Sequence, residues 1–156
     1  MKGYPMFQEI TVTGKYLLIP VRNQGPMQKA LFSAAGDAPQ ITLNFVPGTR
    51  SDCDFVASYP LDFFGKILRI EAENTDWIAE LTQSDAPASA PVDCPERPQF
   101  HYSPNTGWLN DPNGLYYYEG LWHMYHQYNP LSNQWENMHW YHAVSDLHNS
   151  TNRLGH

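Results

Sequence analysis

Short strand-like segments follow one another through the first half of the chain, and Gly, Pro, Asn or Asp separates almost every pair. They cover residues 9–13, 16–21, 29–33, 41–46, 54–58, 67–72 and 77–81. Apolar and polar residues alternate in some of them, as in Ile10 and Val12 against Thr11 and Thr13. Helical periodicity is not convincing in any window. Short strands at this spacing predict an all-β protein that begins with an antiparallel β-sandwich-like domain.

The composition changes after residue 83. Residues 84–96 are rich in Pro, Ala and Ser, which is typical of a linker. Residues 97–156 contain four of the five tryptophans. Residues 115–118 and 121–128 predict a β-hairpin with a two-residue turn at 119–120, followed by a loop over 129–137 and a strand over 138–145. We therefore expect an accessory domain over 1–83, a linker over 84–96 and the start of a second domain over 97–156.

Charge and cysteine usage exclude several classes of function. The net charge of −7 and the lack of a Lys/Arg cluster argue against nucleic acid as a partner, whereas a neutral substrate is compatible with them. Cys53 and Cys94 lack Cys-x-x-Cys spacing, so neither zinc nor a redox motif is indicated, and their pairing stays open. No cofactor is indicated either.

The cellular location stays open. The start of the chain shows no apolar run that indicates a signal peptide, and no stretch is long and apolar enough for a membrane segment. A periplasmic or extracellular location is compatible with a longer parent protein. The oligomeric state is open too.

Asp111 lies in the run Trp108-Leu109-Asn110-Asp111-Pro112-Asn113-Gly114. Pro112 disfavours helical geometry in the residue before it, and Asn-Gly favours the positive φ values of tight turns. We expect Asp111 at the end of a strand, held as a nucleophile needs to be held. From these residues alone, a purely structural turn is the favoured interpretation.

Aromatic and amide side chains surround this run in the sequence. Tryptophan and tyrosine rings suit stacking on sugar rings, but a β-protein core uses the same residues. Asn110 and Gln127 can each donate and accept hydrogen bonds, as hydroxyl recognition requires, and a structural amide is the equal alternative. The His-x-x-His pairs His123/His126 and His139/His142 do not predict a metal site, because residues three apart on a strand face opposite sides.

The second segment resembles the start of the catalytic domain of glycoside hydrolase family 32, which contains invertases, levanases, inulinases and related β-fructofuranosidases. The ordered matches are residues 97–102, 107–115, 126–130, 134–135, 138–140 and 142–145. Residues 1–93 are only broadly similar to the β-rich domain that precedes the catalytic domain in some levanase-like members.

The resemblance implies a five-bladed β-propeller, of which residues 97–156 supply about one blade. It implies a retaining hydrolase of levan, inulin or sucrose in which Asp111 is the nucleophile. By position, Asn110, Gln127 and Trp135 correspond to contacts with a bound fructose, and Trp108 and Leu109 to residues that shape its pocket. Two alternatives to hydrolysis stay open. One is an accessory role in carbohydrate binding, and the other is transfer of the fructosyl group to a sugar.

The chain departs from the family pattern in two ways. The Arg-Asp-Pro and Glu-Cys motifs that carry the family's other acidic residues do not occur after Asp111, and the usual tryptophan is missing after Val144-Ser145-Asp146-Leu147. An aberrant terminus, such as a frameshift, would explain the second. We expect this polypeptide to be a fragment without useful hydrolase activity.

Overall fold

The computed structural model describes residues 6–37, 41–89, 98, 101–145 and 150–153. The chain forms two compact units, Met1–Ser89 and Ala90–His156. The division falls inside the segment predicted as a linker, although residues 90–96 lie outside the described ranges, and so does Cys94. Within those ranges there is no α-helix, and the expected all-β class is confirmed.

The described residues of the first unit form seven strands and two short 3-10 helices. The helices are Asp62–Phe64 and Asp76–Glu80. The strands are Met6–Thr11 (β1), Tyr16–Arg22 (β2), Gln28–Ala34 (β3), Ile41–Pro47 (β4), Phe55–Pro60 (β5), Ile67–Ala72 (β6) and Thr82–Ser84 (β7).

The strands of the first unit form one antiparallel sheet in the order β1-β6-β3-β4-β2-β5, with β7 also paired to β2. Strand β4 pairs with β3 along Ile41–Phe45 but with β2 only at Val46 and Pro47. The sheet is therefore continuous through a two-residue junction. The expected sandwich, with two separate sheets, stays a prediction.

Aromatic rings fill the core of the first unit. The ring of Phe32 lies edge-on to Tyr59 and to Phe64, with centroids 6.1 and 6.2 Å apart, and Phe45 meets Trp77 at 5.1 Å. Burial raises the pKa of the Tyr59 hydroxyl to about 12. Burying one phenylalanine side chain stabilises a fold by roughly 1.5–3 kcal/mol, so each of these buried rings contributes to the stability of the first unit.

Six of the seven expected strands are present, but the prediction for residues 77–81 is wrong, since Asp76–Glu80 forms a 3-10 helix. Asn74 explains the difference: its side-chain oxygen accepts from the backbone N–H of Asp76 at 2.8 Å, and its carbonyl accepts from the Trp77 indole at 2.7 Å. Such local hydrogen bonds favour a turn over a strand.

Among its described residues, the second unit has four strands, Trp108–Tyr118 (β8), Leu121–Asn129 (β9), His139–Ser145 (β10) and Ser150–Arg153 (β11). They pair with their sequence neighbours in the order β11-β10-β9-β8, the arrangement of a propeller blade. Glu119 and Gly120, with φ values of 50° and 84°, form the predicted two-residue turn, and positive φ at both positions defines type I′. Residues 146–149, where the chain departs from the family pattern, lie outside the described residues.

Among the residues that the structure describes, no helix has the length and apolar character that crossing a membrane requires.

Candidate functional site

Asp111 lies in a bulged part of β8, so the prediction of a tight turn at a strand end is wrong. The register of β8 against β9 shifts between Asn110 and Asn113 and again between Asn113 and Tyr116. Pro112 cannot donate to the strand ladder, and the chain bulges around it before pairing resumes. We call residues 111–114 the Asp111 bulge.

The backbone of the bulge is strained at Asp111. Its φ is 41°, a left-handed value that costs a non-glycine residue about 1 kcal/mol or more, and Gly114 has φ 61°. The side-chain nitrogen of Asn113 donates to the Asp111 carbonyl at 3.3 Å. The Asp111 side chain is exposed to solvent, where a carboxylate remains available to a ligand. Backbone geometry thus fixes where this carboxylate stands.

Asn110 and Gln127 meet directly across β8 and β9. They are register partners, and Asn110 Nδ2 donates to Gln127 Oε1 at 2.8 Å. Asn110 Oδ1 is buried and has no hydrogen-bond partner among the described residues. A buried acceptor left in that state is costly, so a hydroxyl group that reached Oδ1 would supply the missing bond. The two amides lie together, and their part in a sugar-binding site stays a prediction.

The other expected pocket residues are distributed differently. Trp108 is half-buried and, two residues before Asn110, shares its face of the sheet. Leu109 is the register partner of Tyr128 and faces the opposite side, away from Asn110. Trp135 lies in the loop after β9 and is 67% exposed. The structure therefore joins Asn110 with Gln127 beside Asp111, and Leu109 does not join them.

A buried histidine holds the strand behind Gln127. His126 Nδ1 lies 2.8 Å from the Gln127 carbonyl oxygen, which can only accept, so this nitrogen carries the hydrogen. In neutral His126, Nε2 is then the acceptor for the Tyr102 hydroxyl at 3.1 Å. Burial is the main influence on His126 and lowers its pKa, which favours this neutral form. Burial also raises the pKa of the Tyr102 hydroxyl.

A cluster of four aromatic rings lies on the Asn110 face, and the sequence analysis does not predict it. It joins Tyr116 of β8, His123 and Tyr125 of β9, and His142 of β10. The predicted hairpin turn already implied that Tyr116 stands opposite His123. The alignment of β10 was the unknown, because a nine-residue loop precedes it and leaves its register undetermined.

Metal ligands are not grouped in the part of the chain that the structure describes, where no three His, Cys, Asp or Glu residues are placed to hold an ion. The members of the two His-x-x-His pairs face opposite sides of the sheet. His126 is fully buried with Tyr141, whereas His123 contacts His142 on the other face.

Residues 101–152 match the family described as the glycosyl hydrolases family 32 N-terminal domain. The chain is 50% identical over 62 residues to a levanase of Bacillus subtilis, covering 40% of this chain and 9% of the relative. It is 50% identical over 54 residues to an extracellular exo-inulinase of Aspergillus awamori, with 35% and 10% covered. Invertase 1 of Saccharomyces cerevisiae is 50% identical over 62 residues, with 38% and 12% covered.

The matched segment thus spans about a tenth of the length of these relatives. Among solved structures, a glycoside hydrolase family 32 protein from Bifidobacterium adolescentis is similar at a TM-score of 0.35 and 20% identity, covering 89% of this chain and 25% of that chain. A similarity at that level does not bear on the placement of individual residues.

Proposed function

We propose, on the premise that residues 101–152 are part of a glycosyl hydrolases family 32 N-terminal domain, that this segment carries the fructose-binding and nucleophile positions of a β-fructofuranosidase-type hydrolase. The supporting observation is the hydrogen bond of 2.8 Å between Asn110 and Gln127, beside the bulge that fixes Asp111. The pair offers amide donors and an unbonded acceptor to sugar hydroxyls.

In this proposal Asp111 attacks the anomeric carbon of a fructosyl unit and forms a covalent fructosyl-enzyme, which water then hydrolyses. The departing oxygen needs a proton from a second carboxylic acid. Asp111 is the sole acidic residue within β8, β9 and β10, so these strands do not supply that acid. For the 156-residue polypeptide we therefore propose sugar binding without turnover.

Binding is testable on the polypeptide itself. Titration with fructose or sucrose, followed by NMR, should shift the side-chain amide signals of Asn110 and Gln127, with a dissociation constant of about 1 mM or weaker for so few contacts. Gln127→Ala should abolish the shifts. Gln8→Ala, in exposed strand β1, should leave them unchanged. Equal shifts with glucose, or none with any of these sugars, would refute a fructose site.

The nucleophile position is testable in a longer background. Residues 101–152 of this chain can replace the matching segment of the Bacillus subtilis levanase, which supplies the remaining domain. We expect the chimera to release fructose from levan, and Asp111→Asn to reduce the rate by roughly 10³-fold or more. If Asp111→Asn retains the rate of the chimera, Asp111 is not the nucleophile. Fructose release by the 156-residue polypeptide alone would refute the proposed lack of turnover.

A further inference from the structure

Two stacked pairs of nearly parallel rings make up the four-ring cluster of Tyr116, His123, Tyr125 and His142. Tyr116 lies on His123 with centroids 4.7 Å apart and planes at 4°, and Tyr125 lies on His142 at 4.4 Å and 5°. Each contact joins direct cross-strand neighbours. Hydrogen bonding to the Tyr125 side chain is the main cause of the raised pKa of Tyr116. The cluster therefore ties together three strands, β8, β9 and β10.

The two imidazoles lie edge to edge. His123 Nδ1 and His142 Nε2 are 2.9 Å apart, the ring centres are 5.1 Å apart and the planes differ by 15°. The centre-to-centre distance nearly equals the nitrogen–nitrogen distance plus one ring radius at each end. Both nitrogens therefore lie close to the line that joins the two ring centres. Because this line lies in both ring planes and the planes differ little in angle, the two rings are nearly coplanar. This is the alignment of a strong N–H···N hydrogen bond.

That bond depends on the number of protons in the pair. An imidazole nitrogen accepts only when it carries no hydrogen, so one of the two facing nitrogens must be bare. Neutral rings and a singly protonated pair both satisfy this condition. When both rings are imidazolium ions, two N–H groups face each other and two positive charges meet in a half-buried site. The hydrogen bond is then lost.

The cluster also contacts the Asp111 bulge. Tyr125 is the register partner of Asn113, in the middle of the bulge, and Tyr116 is the first paired residue after it. A side chain added at Gly114 would stand 3.3 Å from the Tyr125 ring, so the Gly114 backbone lies directly against that ring. Movement of the ring pair would therefore be transmitted to the bulge.

We propose that the His123–His142 pair is a proton-dependent positioning element, which holds the Asp111 bulge in place while at most one of the two imidazoles is protonated. Tyr116 faces the pair from β8 and Tyr125 from β9. On the far side of β10, Arg153 of β11 stands opposite His142 in the register. Within β8, β9 and β10, the charged residue besides the histidines is Asp111. The inference does not depend on a chemical role for Asp111.

A shared metal ion would need a different geometry. Zinc bonds to imidazole nitrogen at about 2.0–2.1 Å, and two lone pairs directed along one line would have to stand about 4 Å apart to hold an ion between them. The observed 2.9 Å separation fits a proton.

The test is an NMR titration of the full chain from pH 8 to pH 4, with the histidine rings and the backbone amides of the bulge assigned. We expect the pair to take up its second proton less readily than its first, because the second charge enters beside the first. The amide signals of Asp111, Asn113 and Gly114 should shift with the same midpoint.

His142→Gln is the informative variant, because glutamine can keep a hydrogen bond to His123 but does not titrate. In it, the low-pH shift of the bulge amides should disappear. His101→Gln is the matched control and should retain the shift. The wild-type titration decides the question even if His142→Gln does not fold. Bulge amides that stay constant while His123 and His142 titrate, or that follow His101 instead, would overturn the proposal.

Discussion

At the residue scale, the hydrogen bonds around His126 explain how the backbone of Gln127 is held in place. His126 has a defined tautomer because the carbonyl of Gln127 can only accept, and Tyr102 completes its hydrogen bonding. Around it, Tyr128 donates to the Thr106 carbonyl at 2.8 Å, and burial raises the Tyr128 pKa to about 12. Neutral, fully satisfied groups of this kind can be buried without the penalty of an unpaired polar atom.

Removal of the His126 ring should destabilise the second unit. His126→Ala leaves a cavity and takes the partner from the Tyr102 hydroxyl, and we expect a loss of about 2–4 kcal/mol in the free energy of unfolding. Urea unfolding followed by tryptophan fluorescence measures it. His101→Ala, at an exposed position, should change the free energy by less than about 0.5 kcal/mol. Equal losses in the two variants would contradict the role assigned to His126.

The lowered pKa of His126 predicts a stability that falls in acid. The unfolded chain takes up a proton near pH 6.5, whereas the folded unit takes it up only at lower pH. The stabilising contribution is therefore complete above about pH 6.5 and is lost as the pH falls through the folded pKa. Urea unfolding at pH 7.5 and pH 5.5 should show a larger decrease for the wild type than for His126→Gln. A decrease of the same size in both would count against this assignment.

At the element scale, the two glycines that flank β8 have similar backbone φ angles but different surroundings. Gly107, with φ 79°, precedes β8, and a side chain there would stand 2.2 Å from the Asn129 carbonyl oxygen. Gly120, with φ 84°, lies in the hairpin turn, where nothing comes within 4 Å. The first glycine allows a close approach of two backbones, whereas the second only permits the turn.

Alanine at these positions should separate a clash from backbone strain. Gly120→Ala should cost about 1 kcal/mol, the strain of a left-handed alanine. Gly107→Ala adds a backbone clash and should cost about 3 kcal/mol or more, because β8 must move away from the end of β9. Thermal unfolding of both variants measures the difference. A cost for Gly107→Ala no greater than that for Gly120→Ala would show that the close approach is not needed.

Regular strands and the hairpin turn were predictable, because their determinants are local. The sequence predicts strand Ile67–Ala72 to the residue, and it predicts a two-residue turn at Glu119-Gly120 from its position between strand-forming runs. The 3-10 helix at Asp76–Glu80 was not, because a single side chain, Asn74, redirects the backbone there. The sequence predicts a turn at the Asp111 bulge because Pro and Gly favour both turns and bulges, and the choice between them depends on the pairing partner.

At the scale of the whole molecule, each unit has its own buried residues. Phe32, Phe45 and Phe64 are buried in the first unit, and His126 and Leu131 in the second. The order of strands in the first sheet was not predictable from the sequence, because nothing local specifies that β1 pairs with β6 or β2 with β7. An accessory role for the first unit in carbohydrate binding stays a prediction.

We expect residues 1–89 to fold without the rest of the chain, as their core is internal. The excised segment should unfold cooperatively in urea, with a near-ultraviolet circular dichroism signal from Trp77 packed against Phe45. Phe45→Ala should lower its free energy of unfolding by about 3–5 kcal/mol. Met27→Ala, at an exposed position, provides the control. A gradual transition without that signal would contradict independent folding.

The pairing of β2 with β7 has a consequence for synthesis. Ser84 pairs with Tyr16, and the Gln83 side chain accepts from the backbone N–H groups of Thr13 and Gly14. During translation, the edge of β2 at residues 16–18 that pairs with β7 therefore stays unpaired until more than sixty further residues have left the ribosome. The strands β8, β9 and β10 pair only with their sequence neighbours and can assemble as they emerge. Although the first unit is made first, its last contacts close late, and that interval is when a nascent chain would need protection from aggregation.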